Sequence, residues 1–298
     1  MSPIPPFSRR DFILASASGL LSIQSLLANT KGENWQIGCF TRPWADFDVL
    51  TSFDAIAKAG FRHLGLMTTA PDNRLVISVS TQEQEASRIG REAKSRGLII
   101  LSLYGGEFPL EQSLEAGVEG LRRLIGLCAA CGSKSLLLGG TDKAEAFEAY
   151  YQAVTRCCDE AMRQGIQLTV KPHGGLNATG PQCRKIIEKV GHRNFRLWYD
   201  PGNIFYYSDG QLDPAEDAAS VDGIVSGMSV KDYLHPKTVD VTPGSGRVNF
   251  RAVLTRLKKG GFKSGPLLIE CLKRGDLAAL HKEAVQARQF LETCLKSV

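Results

Sequence analysis

The sequence has no block of basic residues. Its 36 Lys and Arg are dispersed among 31 Asp and Glu, leaving a formal net charge of +5 over 298 residues. Chains that track a phosphate backbone concentrate their positive charge, so no nucleic-acid partner is expected. The mild positive balance leaves small anionic or polyhydroxy substrates open. No G-x-G-x-x-G turn follows the first strand pattern, and the Gly244 and Gly246 pair comes late and after Pro243. That absence excludes a dinucleotide-binding fingerprint. A second C-x-x-C pair at zinc-finger spacing is also missing. Cys128 and Cys131 form a single pair within a helical pattern, and Cys39, Cys157, Cys158, Cys183, Cys271 and Cys294 lie mostly in apolar patterns. All eight read mainly as small buried apolar residues.

The amino terminus carries a different signal. Ser8-Arg9-Arg10-Asp11-Phe12-Ile13-Leu14 precedes an apolar, small-residue stretch from Ile13 to Ala28. Paired arginines with a following Phe resemble a twin-arginine export signal. The stretch is shorter than the roughly 20 residues that span a bilayer, so no stable membrane span is expected once the signal is removed. The residues around Ala28 are the expected cleavage neighbourhood, although Leu26-Leu27-Ala28 is a weak small-residue site. The chain therefore divides into an export signal over 1–30 and one domain over 31–298, with a periplasmic or otherwise exported destination. Oligomerisation is left open.

Beyond the signal, short apolar runs alternate with helical patterns without a long linker. Strands are expected at Trp35 to Thr41, Phe61 to Thr68, Leu98 to Tyr104, Ser133 to Leu138, Ile166 to Lys171, Phe195 to Asp200, Ile224 to Lys231 and Gly265 to Cys271. Helices are expected at Phe53 to Ala59, Thr81 to Arg96, Leu110 to Cys131, Lys143 to Gln164, Pro181 to Val190, Phe250 to Lys259 and Leu277 to Leu295, with a weaker one from Asp213 to about Ala219. Most helical patterns stop at a glycine that leads straight into the next strand, as at Gly60, Gly97, Gly132, Gly165, Gly191 and Gly261. Glycine accepts the left-handed terminus of a helix. An eightfold repeat of strand, helix and glycine favours a closed (β/α)8 barrel over an open doubly wound sheet.

Chemistry in such a barrel belongs at the C-terminal strand ends. Here they read Thr41-Arg42, Tyr104-Gly105-Gly106-Glu107, Lys171-Pro172-His173, Asp200-Pro201-Gly202-Asn203, Lys231-Asp232 and Glu270. Apolar strands do not need polar ends of this kind merely to fold. With Leu197-Trp198-Tyr199-Asp200-Pro201-Gly202-Asn203, Val230-Lys231-Asp232, Pro243 to Phe250 and Leu267-Leu268-Ile269-Glu270, the chain resembles the xylose-isomerase-like TIM barrels. These include ketose epimerases, hydroxypyruvate isomerases and, more distantly, endonuclease IV. The resemblance covers nearly all of the chain after the signal.

It implies a small sugar-type substrate and one divalent metal ion (Mn, Mg, Co or Zn), held by Glu, Asp, His and Glu from strands five to eight. Asp200 and Glu270 match two of those positions, but Lys171 and Ser229 stand where the first Glu and the His are expected. A protonated lysine cannot ligate a cation and serine is a poor ligand beside imidazole. Two arrangements follow. His173 joins Asp200 and Glu270 in a rebuilt metal site, or the metal is absent and the Lys171 ammonium takes its place, with Lys231 adding a second positive charge. Lysine at a strand end also permits an imine.

The leading functional expectation is an isomerase or epimerase of a sugar or sugar-derived hydroxy-carbonyl compound, working through an enolate-type intermediate. Glu270 serves as acid and base, Asp200 as ligand or electrostatic partner, and Lys171, His173 and Lys231 hold the enolate oxygen. A lyase or hydrolase of oxidised sugars and a non-catalytic sugar-binding barrel are the other two classes. Endonuclease chemistry, which calls for several metals and many histidines, fits poorly with five. Simpler roles compete throughout: a structural ion pair for Lys231-Asp232, a turn at Asp200, a loop role for His173, and a salt bridge from Glu270 to Lys171 or Lys273. Trp44, Tyr104, Trp198, Tyr206 and Tyr207 are candidates for stacking on a sugar ring or for packing.

Overall fold

A computed structural model describes residues 35–298. The export-signal reading and its cleavage neighbourhood lie outside the described residues. Within them, eight parallel strands close into a barrel: β1 (Trp35–Phe40), β2 (His63–Leu66), β3 (Ile99–Tyr104), β4 (Ser135–Leu138), β5 (Gln167–Val170), β6 (Phe195–Tyr199), β7 (Val225–Val230) and β8 (Gly265–Ile269). Closure is visible at Cys39, which sits opposite Leu64 of β2 on one side and Ile269 of β8 on the other. Each strand falls within about two residues of its expected span, because buried parallel strands are continuous apolar runs.

Helices α1 (Val49–Lys58), α2 (Glu83–Ser95), α3 (Leu114–Cys131), α4 (Phe147–Arg163), α5 (Gly180–Val190), α6 (Pro201–Tyr207), α7 (Pro214–Asp217), α8 (Phe250–Lys259) and α9 (Leu277–Leu295) occupy the crossovers. Three starts differ from expectation by about four residues: at α4 the 3-10 turn Ala144–Ala146 takes the first turn, and at the other two a capping side chain, rather than the apolar pattern, sets the start. Asp48 accepts hydrogen bonds from Leu50 and Thr51 N–H, beginning α1 earlier, and Ser113 accepts from Ala116 N–H, beginning α3 later. Helix α6 replaces the turn expected at Pro201, since Asp200 caps it by accepting from Asn203 N–H and Pro201 occupies its first turn. The helix expected from Asp213 to about Ala219 is the short α7 followed by a 3-10 turn, Ala218–Val221. The six helix-ending glycines all adopt positive φ, from 65° to 103°. Among the described residues no helix is long and apolar enough to cross a membrane.

Two apolar layers support the barrel mouth. The larger lies between strands and helices, and a smaller one, formed by Phe40, Met67, Leu101, Leu137, Trp198 and Leu268, fills the lumen. Tyr199 turns outward and donates its hydroxyl to Pro214 O at 2.7 Å, while Trp198 points in. Trp44 and Trp198 are therefore packing residues rather than stacking platforms. Large inward rings are paired with glycines on the neighbouring strand: Phe40 faces Gly65 and Trp198 faces Gly227, and a Cβ at either glycine would collide with the ring. All eight cysteines are free and all but Cys294 are buried.

Overpacking a filled core costs about 1–3 kcal/mol. Gly65→Val is expected to destabilise the protein by that amount in urea denaturation, with much of the loss recovered in the Phe40→Leu, Gly65→Val double variant. Strictly additive losses would mean that the ring and the glycine are not a packing pair.

Candidate active site

The lumen plug ends where β5 to β8 deliver Lys171, Asp200, Lys231 and Glu270, all of them buried. Lys171 donates to both oxygens of Glu270, each at 2.9 Å, and reaches Asp200 Oδ2 at 3.4 Å. Lys231 approaches the same two carboxylates, 2.6 Å from Glu270 Oε1 and 3.2 Å from Asp200 Oδ2, and donates to Asn203 Oδ1 at 3.0 Å. Arg42, at the end of β1, donates to Glu270 Oε1 at 3.3 Å and to Cys271 Sγ at 2.6 Å. Ser229 donates to Glu270 Oε2 at 2.6 Å and accepts from Trp198 Nε1 at 3.1 Å. Glu270 thus takes five contacts from four donor groups on its two oxygens.

These contacts set the charges. Burial alone would raise the Glu270 pKa, but Lys171, Lys231 and Arg42 overcome that and hold the carboxyl well below its ordinary range. Burial likewise opposes the charge of Lys231, and Asp200 and Glu270 outweigh it, so its pKa lies above the ordinary lysine value. Imine formation needs a neutral amine, which makes Lys231 a poor candidate for it. Burial, against the pull of Arg42 and Lys231, pushes the Cys271 thiol up to about 11, so it meets Arg42 as a neutral acceptor.

Asp200 combines two roles that the sequence left as alternatives. Its Oδ1 caps α6 while its Oδ2 faces both lysines. Lys231-Asp232 is not an ion pair, because the two side chains diverge. Asp232 turns to the backbone and accepts from Tyr233, Gly244, Gly246 and Val248 N–H at 2.8 to 3.0 Å, fastening the loop that begins at Pro243. That loop does not line the cavity at the barrel mouth. Lys273 is exposed, so the salt bridge of Glu270 is to Lys171.

A cavity of about 310 Å³ opens above the cluster, walled by Arg42, Lys171, Lys231 and Glu270 below and by Tyr104, His173, Tyr206 and Tyr207 at the sides. His173 lies in this wall with its ring 6.4 Å from Tyr104 and 6.1 Å from Tyr207. Desolvation, then the charges of Lys171 and Lys231, lower its pKa from 6.5 to about 4. His173 is nevertheless exposed, and solvent screens much of this effect, leaving a downward shift. The imidazole is accordingly neutral near pH 7.

The donor set does not fit a resident divalent cation. The two lysines fill the space between Asp200 and Glu270, and Ser229 is committed to Glu270 and Trp198. His173 does not join the carboxylates, and among the described residues no three His, Cys, Asp or Glu side chains converge as metal ligands. Of the two arrangements expected from the sequence, the side chains adopt the second, with the Lys171 and Lys231 ammonium groups between Asp200 and Glu270, and His173 does not join the carboxylates as the first would require. Arg42, Asn203 and Ser229 were not expected as part of it. Arg42 had a signal, as a polar strand end, whereas Ser229 looked only like a lost ligand.

A family profile described as xylose isomerase-like TIM barrel matches residues 53–294, and the chain belongs to that family. Over 115 residues it is 32% identical to a Mycoplasma pneumoniae protein named probable L-ribulose-5-phosphate 3-epimerase UlaE, a match covering 37% of this chain. The chain spans 36% of that curated relative's length. The fold matches a xylose isomerase domain protein from Planctomyces limnophilus with a TM-score of 0.69 at 19% identity, covering 89% of this chain and 99% of the other. A D-psicose 3-epimerase from Clostridium cellulolyticum H10, solved with D-tagatose, gives 0.68 at 14%, covering 87% and 99%. The chain is thus related to sugar epimerases.

The charge pattern gives stability a pH dependence. A histidine whose pKa is lower in the folded state leaves the unfolded chain binding more protons as pH falls below about 6.5, so stability declines from there toward pH 4. Glu270, with its folded pKa depressed, contributes stability above its ordinary range that is lost as pH falls further. Urea midpoints measured from pH 7 to 4 are expected to fall throughout, with the upper part of the decline reduced in His173→Asn. An identical profile for the variant would contradict this.

Proposed function

We propose that this protein is an isomerase or epimerase of a sugar or sugar-derived hydroxy-carbonyl compound, acting through an enolate-type intermediate. The observation that carries the reading is the convergence of Lys171, Lys231 and Arg42 on the floor of a closed-bottomed cavity, against only two buried carboxylates. Arg42 is shared with the half-exposed Asp240, so the positive charge that meets an oxygen becoming negative during reaction is chiefly that of the buried Lys171 and Lys231. Fixed charges aimed at developing charge in a partly dry site are a large source of rate acceleration.

Removing a proton from the carbon beside a carbonyl places negative charge on the carbonyl oxygen. Lys171 and Lys231 line the cavity floor and present their positive charge to that oxygen, while their N–H groups engage Asp200, Glu270 and Asn203, which hold the two lysines in place. Glu270, saturated by donors and held ionised, is a weak base, so we assign it to fixing the lysines rather than to moving the proton. His173, neutral and at the cavity wall, is the group available to accept it, and its affinity for that proton rises as negative charge builds opposite. Return of the proton to the former carbonyl carbon, with the hydroxyl proton passing from the second oxygen to the first, yields an isomer, and delivery of a solvent proton to the opposite face of the original carbon yields an epimer. The signal-like pattern of Arg9, Arg10 and Phe12 supports action outside the cytoplasm.

Incubation with a ketose panel in D2O tests this directly. The expected product has unchanged composition apart from deuterium at the carbon next to the carbonyl, and Lys171→Met and Lys231→Met each lower turnover about 100-fold or more. Products of lower mass would indicate bond cleavage and a lyase. Sugar binding without exchange would leave a binding barrel, and unchanged turnover in both variants would remove the lysines from the mechanism.

A further inference from the structure

The catalytic cavity does not end at its own wall. A second cavity, also of about 310 Å³, adjoins it over the ends of β3, β4 and β5 and shares Tyr104, His173 and Tyr207 with it. Its remaining lining differs in kind. Where the first cavity has Lys171, Lys231 and Arg42, the second presents Glu107 and Asp142 with Thr141, and among the described residues no lysine or arginine lines it.

Its floor is built rather than incidental. Asn177 is buried and donates through Nδ2 to Gly139 O and to Lys171 O, both at 2.8 Å, so one side chain clamps the β4 and β5 ends together. A Cβ at Gly140 would stand 2.6 Å from that amide, and one at Gly174 would stand 2.6 Å from the Tyr207 ring. Both glycines have positive φ, 80° and 92°, so the backbone there is shaped for residues without side chains. Bare backbone, a clamped floor and shared aromatic walls leave an open trough that runs outward from the lysines.

Carboxylates accept hydrogen bonds from hydroxyl groups and repel phosphate or carboxylate ligands, and tyrosine edges and faces suit the C–H faces of a sugar ring. A volume of about 310 Å³ is at the lower end for small-molecule sites and accommodates one ring. We propose that the second cavity is a subsite for an uncharged sugar ring glycosidically joined to the reacting ring, so that the substrate is a glycoside of disaccharide size. This rests on the sugar assignment of the catalytic cavity. The trough supplies additional binding to the non-reacting ring, which positions the reacting one against Lys171 and Lys231.

Calorimetric titration of the described protein with D-fructose, D-tagatose and D-psicose, and with the glucosyl-fructoses turanose, maltulose, palatinose and leucrose, tests it. At least one disaccharide is expected to bind tenfold or more tighter than the best monosaccharide, and Asp142→Ala with Thr141→Phe is expected to bring that ratio close to one. Disaccharides binding no better than monosaccharides, or a ratio that survives the double variant, would overturn the subsite while leaving the catalytic reading standing. Binding of none of the sugars would overturn both.

Discussion

One carboxylate shared by two buried ammonium groups organises the mouth of this barrel. Glu270 takes Lys171 on both oxygens and Lys231 on one, while Asp200 closes the ring from the other side. Desolvating such charges costs several kcal/mol per ion, and apolar residues of similar size hold a barrel at least as well. Stability therefore accounts weakly for the cluster. Its setting accounts for it better: the lumen below is filled by Phe40, Trp198 and Leu268, and the cluster forms the floor of a cavity lined by tyrosines and His173.

The barrel was legible because its signals are local and repeated. Eight apolar runs and six helix-ending glycines each have a short-range physical cause, and none depends on knowing what lies across the fold. Errors arose where a side chain took a backbone role. Asp48 and Ser113 moved helix starts by capping, and Asp200 turned an expected turn into α6. The site was legible in its membership but not in its roles. Lys171, Asp200, Lys231 and Glu270 were expected to meet, and they do.

The Glu270–Lys171 bridge was among the expected pairings, but the number of further partners on Glu270 was not. Glu270 as a general base required free lone pairs, and the fold spends them on Lys171, Lys231, Arg42 and Ser229. His173 as a ligand required it to lean toward Asp200, and the ammonium groups stand there instead. Ser229, read alone, marks the loss of an imidazole. Seen between Trp198 and Glu270, it orients the carboxylate that in turn fixes both lysines. A substitution that removes a ligand can thus complete a different electrostatic arrangement.

The central claim is that Lys171 and Lys231 supply, as fixed protein charges, the positive charge that the family resemblance assigns to a divalent cation. Calorimetric titration of the chelator-treated protein with Mn2+ or Co2+ tests it most directly, run beside a Lys171→Glu, Ser229→His variant. The account predicts no stoichiometric binding to the parent and about one equivalent bound by the variant. One equivalent bound by the parent and lost in Asp200→Asn would contradict it.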